Sequence, residues 1–137
     1  MKIALFEVDG WQKQHLKKKL KEHNCLFFKE PLREEHIPKI KGCEILVGFI
    51  GSPVTKKIID AMPKLKTICT MSTGFDHIDT KHAKKKKIPV CSVPFYGENT
   101  VAEHTFALIL SLSRNVHKAY MRTVQNKFDI EGLMGFD

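Results

Sequence analysis

Apolar runs recur along most of this chain at intervals of roughly 20 to 22 residues, with amphipathic or polar stretches between them. That spacing is what βα units require, and it restricts the fold more than any other feature. Lys2 to Val8 reads as a strand and Gln12 to His23 as a helix, with Leu16 and Leu20 four apart. Cys25 to Phe28 is a short strand, and Arg33 to Ile40 a weak helix interrupted by Pro38. Glu44 to Ile50 is a third strand. Ser52-Pro53 predicts the start of the next helix, with Ser52 as N-cap and Pro53 in the first turn. Lys66 to Met71 is a fourth strand, Asp79 caps a helix reaching about Lys86, and Ile88 to Val93 is a fifth strand. Strands joined by helices pair in parallel through right-handed crossovers. The expected fold is α/β, a flavodoxin-like doubly wound parallel five-stranded sheet.

The last helix departs from this rhythm. Thr100-Val101-Ala102-Glu103 has the form of a capping box, and the stretch from Ala102 to Leu112 is apolar on nearly every side. One small sheet covers only one face of such a helix, so a further domain or a second subunit is expected to cover the rest. The chain therefore reads as a ligand-binding domain over 1–99, a helix over 100–127 and a connection over 128–137.

Composition removes several classes. The 23 Lys and Arg outnumber the 15 Asp and Glu, for a net charge of +8. Much of the excess lies in Lys17-Lys18-Lys19 and Lys84 to Lys87, runs without interleaved aromatics inside apparent helices. These read as solvated faces, and no nucleic-acid partner is expected. No apolar run is long enough to cross a bilayer or serve as a signal peptide, so the expectation is a cytoplasmic protein without a membrane partner. The four cysteines form no C-x-x-C pair, and Cys69 and Cys91 fall in apolar runs as buried reduced thiols. The seven histidines offer no metal pattern, and His104 reads as a packing residue.

In open α/β sheets ligands bind beyond the carboxyl ends of the strands. Four of those ends carry glycine: Asp9-Gly10, Phe49-Ile50-Gly51, Ser72-Thr73-Gly74, and the loop from Pro94 through Gly97 to Asn99. Ordinary turn chemistry explains any one of them, whereas four at one edge point to a site where backbone amides meet a small anion. A phosphoacceptor domain would use Glu7 and Asp9, but it also needs an Asp after the third strand and a Lys after the fifth. Phe49 and Pro94-Phe95-Tyr96 stand there instead. A flavodoxin needs a hydroxyl-rich phosphate loop after the first strand, and Asp9-Gly10-Trp11-Gln12 is not one.

Three segments together resemble the D-2-hydroxyacid dehydrogenase family, and within it the D-lactate dehydrogenase branch. They are Ser72-Thr73-Gly74-Phe75-Asp76-His77-Ile78-Asp79, Val93-Pro94-Phe95-Tyr96-Gly97-Glu98-Asn99-Thr100-Val101-Ala102-Glu103-His104-Thr105, and Leu112-Ser113-Arg114-Asn115. The resemblance is good from about Glu44 onward and looser before it. It implies a substrate domain paired with an inserted Rossmann domain, with the active site in the cleft between them. Thr73 and Gly74 would hold the substrate carboxylate through their amides, and Tyr96 and Phe49 would wall the pocket. Thr73 and Val101 would lie near the nicotinamide of NAD. Phe49 stands where Tyr is common in the branch, which keeps the wall and removes a hydroxyl. Arg114 matches an arginine near the end of the interdomain helix, with a structural role.

The eight glycines at 10, 42, 48, 51, 74, 97, 132 and 135 form no G-x-G-x-x-G. The dinucleotide domain is therefore missing from this chain, as are the catalytic Arg, Glu and His, expected after residue 137. The resemblance thus implies the N-terminal part of an NAD-dependent homodimeric oxidoreductase acting on a pyruvate-like 2-keto acid, with the fragment alone inactive. An NAD-sensing, corepressor-like relative and an unrelated small-ligand α/β module remain as alternatives.

Overall fold

The computed structural model describes residues 1–136 and divides into two units, Met1–Pro94 and a second beginning at Phe95. In the first, strand β1 (Lys2–Leu5) pairs in parallel with β2 (Asn24–Phe27) on one side and β3 (Ile45–Gly48) on the other. Strands β4 (Thr67–Thr70) and β5 (Val90–Cys91) extend the sheet, all in parallel, in the order β2-β1-β3-β4-β5. This is the flavodoxin-like arrangement expected from the repeat.

Alternation along β1 explains why both faces are covered. Ile3 and Leu5 point to one side with Val8, where Leu16 of helix α1 (Gly10–Lys19) and Leu20, its C-cap, pack. Ala4 and Phe6 point to the other, into a core with Ile40 of α2 (Ile37–Ile40), Ile58 and Ile59 of α3 (Lys56–Asp60) and Ala83 of α4 (Thr80–Lys85). Phe6 is fully buried and stacks on Phe28 with ring centroids 4.4 Å apart, while the buried His36 meets both rings edge-on.

Several elements differ from their sequence reading. The first helix starts at Gly10, with Asp9 as its cap. The weak helix over 33–40 is a 3-10 turn at Glu34–His36 running into α2, with Pro38 tolerated in its first turn. Ser52 does not cap α3. Its hydroxyl is committed to Glu7 and to the Leu32 amide, Val54 forms a parallel bridge with Ile78, and Thr55 caps the helix three residues later. The fifth strand is only two residues long. Cys91 is exposed there and Cys69 half-buried, so neither is the fully buried thiol expected; all four cysteines are free. Burial and the adjacent Cys91 push the Cys69 thiol up.

In the second unit, helix α5 (Glu98–Ser113) begins with Gly97 in the cap position, so Thr100 lies inside the helix and forms no capping box. The helix buries no residue, and Val101, Phe106, Ile109 and Leu112 are all more than half exposed. His104 is exposed and not a packing residue. Asn115, in the left-handed region at φ 53°, separates α5 from α6 (Val116–Val124), where the sequence predicted one helix. The stretch read as a connection folds back on this pair. Asn115 Nδ2 donates to the Leu133 and Met134 carbonyls, and a Cβ at Gly135 would collide with the Ser113 carbonyl. Among the described residues, no helix is long and apolar enough to cross a membrane.

Helices α3 and α4 are joined through Asp60, which accepts from Lys56 at 2.6 Å, His82 at 2.9 Å and Lys86 at 2.9 Å. These bonds, Lys56 foremost, hold the Asp60 carboxyl well below its ordinary value of 3.8. A depressed folded-state pKa adds stability that is present above the unfolded value and is lost as pH falls toward the folded one. Asp60→Asn is expected to lower the melting temperature at neutral pH, and the gap to the parent should narrow below about pH 4. Melting curves from pH 3 to 7 test this; a gap independent of pH would remove the charge contribution.

Candidate active site

Because all strands run in parallel, the loops that follow β1, β3, β4 and β5 leave the same edge of the first unit. The loop after β4 is held from beneath by hydroxyls. Thr70 Oγ1 and Ser72 Oγ lie 2.6 Å apart, Ser72 Oγ donates to the Gly74 carbonyl at 2.7 Å, and Thr70 Oγ1 contacts His77 Nε2 at 3.1 Å. Thr70 and Ser72 are both buried. The loop is also tied sideways to the end of β5: Val93 N donates to the Ser72 carbonyl at 3.0 Å, and Thr73 Oγ1 donates to the Val93 carbonyl at 2.9 Å. Thr73 and Gly74 sit exposed on this fixed base, and among the described residues their backbone amides donate to nothing. Two adjacent free N–H groups in a rigid turn are suited to a small anion such as a carboxylate.

The neighbouring loop, after β3, is ordered differently. Glu7 follows β1 at φ 58°, and its carboxylate reaches across to this loop. Oε2 accepts from Phe49 N at 3.1 Å and Ser52 Oγ at 2.5 Å, and Oε1 accepts from Gly51 N at 3.1 Å. Arg33 Nη1 donates to the Gly51 carbonyl at 2.8 Å and to the Leu32 carbonyl at 2.7 Å. Phe49 is half-buried at the head of the loop. Asp9, the other acid after β1, caps α1 and pairs with Lys29 at 2.7 Å; the Lys29 hydrogen bond holds its carboxyl below the usual range.

The fold thus brings Phe49, Thr73 and Gly74 to adjacent strand ends, and Met71 N donates to the Gly48 carbonyl at 2.9 Å between them. Tyr96 and Val101 belong to the second unit, where they are 63% and 67% exposed. Sequence reasoning missed Glu7 as the anchor of the β3 loop, because a left-handed residue after a strand has no sequence signal when it is not glycine. The support under Thr73 was missed as well; the hydroxyls of Thr70, Ser72 and Thr73 so close in sequence were the available signal. A groove of about 540 Å³ beside β5, lined by Phe75, Lys84, Ile88 and Val90 among others, contains none of these site residues. Among the described residues no cluster of three or more His, Cys, Asp or Glu side chains is arranged to hold a metal ion.

The parallel strand order defines the class, a flavodoxin-like α/β domain. The chain belongs to the D-isomer specific 2-hydroxyacid dehydrogenase family, whose catalytic-domain model matches residues 3–130. It is 31% identical to a 2-hydroxyacid dehydrogenase homolog of Haemophilus influenzae, over all of this chain and 43% of that protein. It is 30% identical to the D-lactate dehydrogenase of Escherichia coli, over 99% of this chain and 43% of that one. The solved D-lactate dehydrogenase of Aquifex aeolicus, complexed with NAD and lactic acid, superposes with a TM-score of 0.93 at 29% identity, covering 98% of this chain and 41% of that one. The chain therefore spans less than half the length of the relatives it matches.

Ser72→Ala should cost about 0.5–1.5 kcal/mol, since it removes the bonds to the Gly74 carbonyl and the Thr70 hydroxyl while Thr70 keeps His77 and Gly74 is open to water. Urea unfolding measures this, and an unchanged midpoint would show that the hydroxyl network does not support the loop.

Proposed function

We propose that this chain is the substrate-positioning part of an NAD-dependent D-2-hydroxyacid dehydrogenase of the D-lactate type, one that reduces a pyruvate-like 2-keto acid to the D-2-hydroxy acid. The observation that carries this is the pair of exposed, unbonded amides at Thr73 and Gly74, on a loop pinned by Thr70, Ser72 and Val93. They would take the substrate carboxylate through charge-assisted hydrogen bonds, each worth about 1.5–3 kcal/mol. Phe49 at the adjacent strand end would wall the pocket and Thr73 would lie toward the nicotinamide, while the family resemblance assigns Tyr96 a wall role and Val101 a cofactor contact.

The chain has no G-x-G-x-x-G to cradle a dinucleotide, so its own residues do not make a complete NAD site. NAD supplies the hydride chemistry when bound, held mainly by residues beyond this chain. The Arg, Glu and His that the family resemblance implies as catalytic would lie there too. What the residues described here contribute is orientation: a carboxylate fixed on two amides leaves the keto carbon one approach, and positioning of this kind is worth several kcal/mol of barrier. The apolar surface of α5 supports a role for that helix between domains or subunits, in a cytoplasmic homodimer without nucleic-acid or membrane partners.

The 137-residue chain alone is expected to show no keto-acid-dependent NADH oxidation above a blank. Such activity would overturn this division of roles. In the full-length enzyme, Tyr96→Ala should lower kcat/KM for 2-keto acids at least about tenfold, equivalent to about 1.4 kcal/mol, with little change in NADH binding or melting temperature. Unchanged kcat/KM for every keto acid tried would remove Tyr96 from the pocket.

A further inference from the structure

We propose that Glu7 is a positioning residue for substrate selection: its carboxylate clamps the β3–α3 loop and thereby sets the place of Phe49 in the pocket wall. The proposal rests on the reading of Phe49 as that wall. Glu7 holds φ 58°, a conformation that costs a non-glycine residue roughly 1 kcal/mol or more. Both flanks fix it there. Phe6 N donates to the Val47 carbonyl at 2.9 Å, Glu7 N to the Glu30 carbonyl at 3.3 Å, and Val8 N to the Phe28 carbonyl at 3.1 Å. The reversal at Glu7 accompanies a side chain that reaches the β3 loop instead of continuing the strand alternation.

The carboxylate then meets three donors, all in residues 49–52. Among the described residues no Lys, Arg or His pairs with it, so its charge is balanced by N–H and O–H dipoles alone. That is a poor arrangement for a surface ion pair and a good one for ordering a loop, because three directed bonds share two oxygens. The opposite side of the loop is held by Arg33 on the Gly51 carbonyl. The Ser52 hydroxyl extends the tie to the chain after β2, through the Leu32 amide at 2.9 Å. A Cβ at Gly51 would lie 2.6 Å from Glu7 Oε1, so any side chain there displaces the carboxylate. The first residue in the clamp is Phe49, whose own amide is bound, so a shift of the carboxylate moves the ring's anchor point directly.

Gln at position 7 keeps the size of the side chain but turns an N–H₂ toward one of the backbone N–H donors. Ala at position 51 pushes on the same carboxylate from the loop side. Both are made in the full-length enzyme beside Phe49→Ala. Steady-state kinetics are measured with pyruvate and with a branched keto acid, together with melting curves, NADH titration and amide exchange at residues 49–51.

The expected result is that Glu7→Gln stays folded, exchanges faster at Phe49 and Gly51, and shifts the ratio of kcat/KM between the two acids at least about fivefold, with NADH affinity changed less than about twofold. Phe49→Ala should shift the same ratio. If Phe49→Ala shifts it while a folded Glu7→Gln does not, the clamp is only structural and the proposal is overturned, leaving the reading of the pocket intact. If Phe49→Ala changes nothing, that reading fails and takes the proposal with it. Should Glu7→Gln not fold, Gly51→Ala decides by the same ratio.

Discussion

The parallel pairing of β1 with both β2 and β3 is what the rest of the first unit depends on. A strand bonded on both sides and buried on both faces leaves little freedom in register, because a one-residue slip would exchange Ile3 and Leu5 for Ala4 and Phe6. Parallel pairing also sends every strand's carboxyl end to one edge. The loops there are held by short polar bonds between neighbours, and none is held by a metal cluster or disulfide among the described residues. The geometry of the candidate site is therefore a consequence of strand direction first and of individual side chains second.

Much of this was legible because periodicity reports burial. The five strands and their order class followed from the spacing of apolar runs, and Asp79 capped its helix as expected. The errors came where a side chain had two plausible local uses. Ser52 before Pro53 has the chemistry of a helix cap, yet it is fully buried and serves Glu7 and Leu32, partners 45 and 20 residues away in sequence. Thr100 with Glu103 has the form of a capping box, yet Gly97 begins the helix and places both residues within it. Local patterns state which bonds a residue is able to make, and tertiary contacts decide which it does make. Cys91 shows a related limit: an apolar run does not distinguish an interior strand from an exposed edge.

The site divides along the same line. Thr73 and Gly74 came from a dense motif, and the fold delivers them to the end of β4 with their amides free. Phe49 lies at the neighbouring strand end, as anticipated. Glu7 carried no motif. Its role depends on a left-handed turn that only glycine, or to a lesser degree Asn or Asp, announces in sequence. The second unit is legible in composition only. Its helix α5 is apolar and buries none of its residues.

The two adjacent strand ends apply one piece of chemistry in opposite ways. After β3, the Phe49 and Gly51 amides are saturated by a carboxylate that the chain itself supplies, and that loop is fixed. After β4, the Thr73 and Gly74 amides are left open, while side chains below them, Thr70 and Ser72, do the fixing. A strand-end turn with free N–H groups attracts carboxylates without distinction, so a neighbouring acid able to reach it would occupy it and exclude a ligand. Glu7 spends its carboxylate on three bonds to the β3 loop. At one strand end the donors are thus satisfied by the fold itself, and at the next the donors left over are the ones proposed to select the substrate.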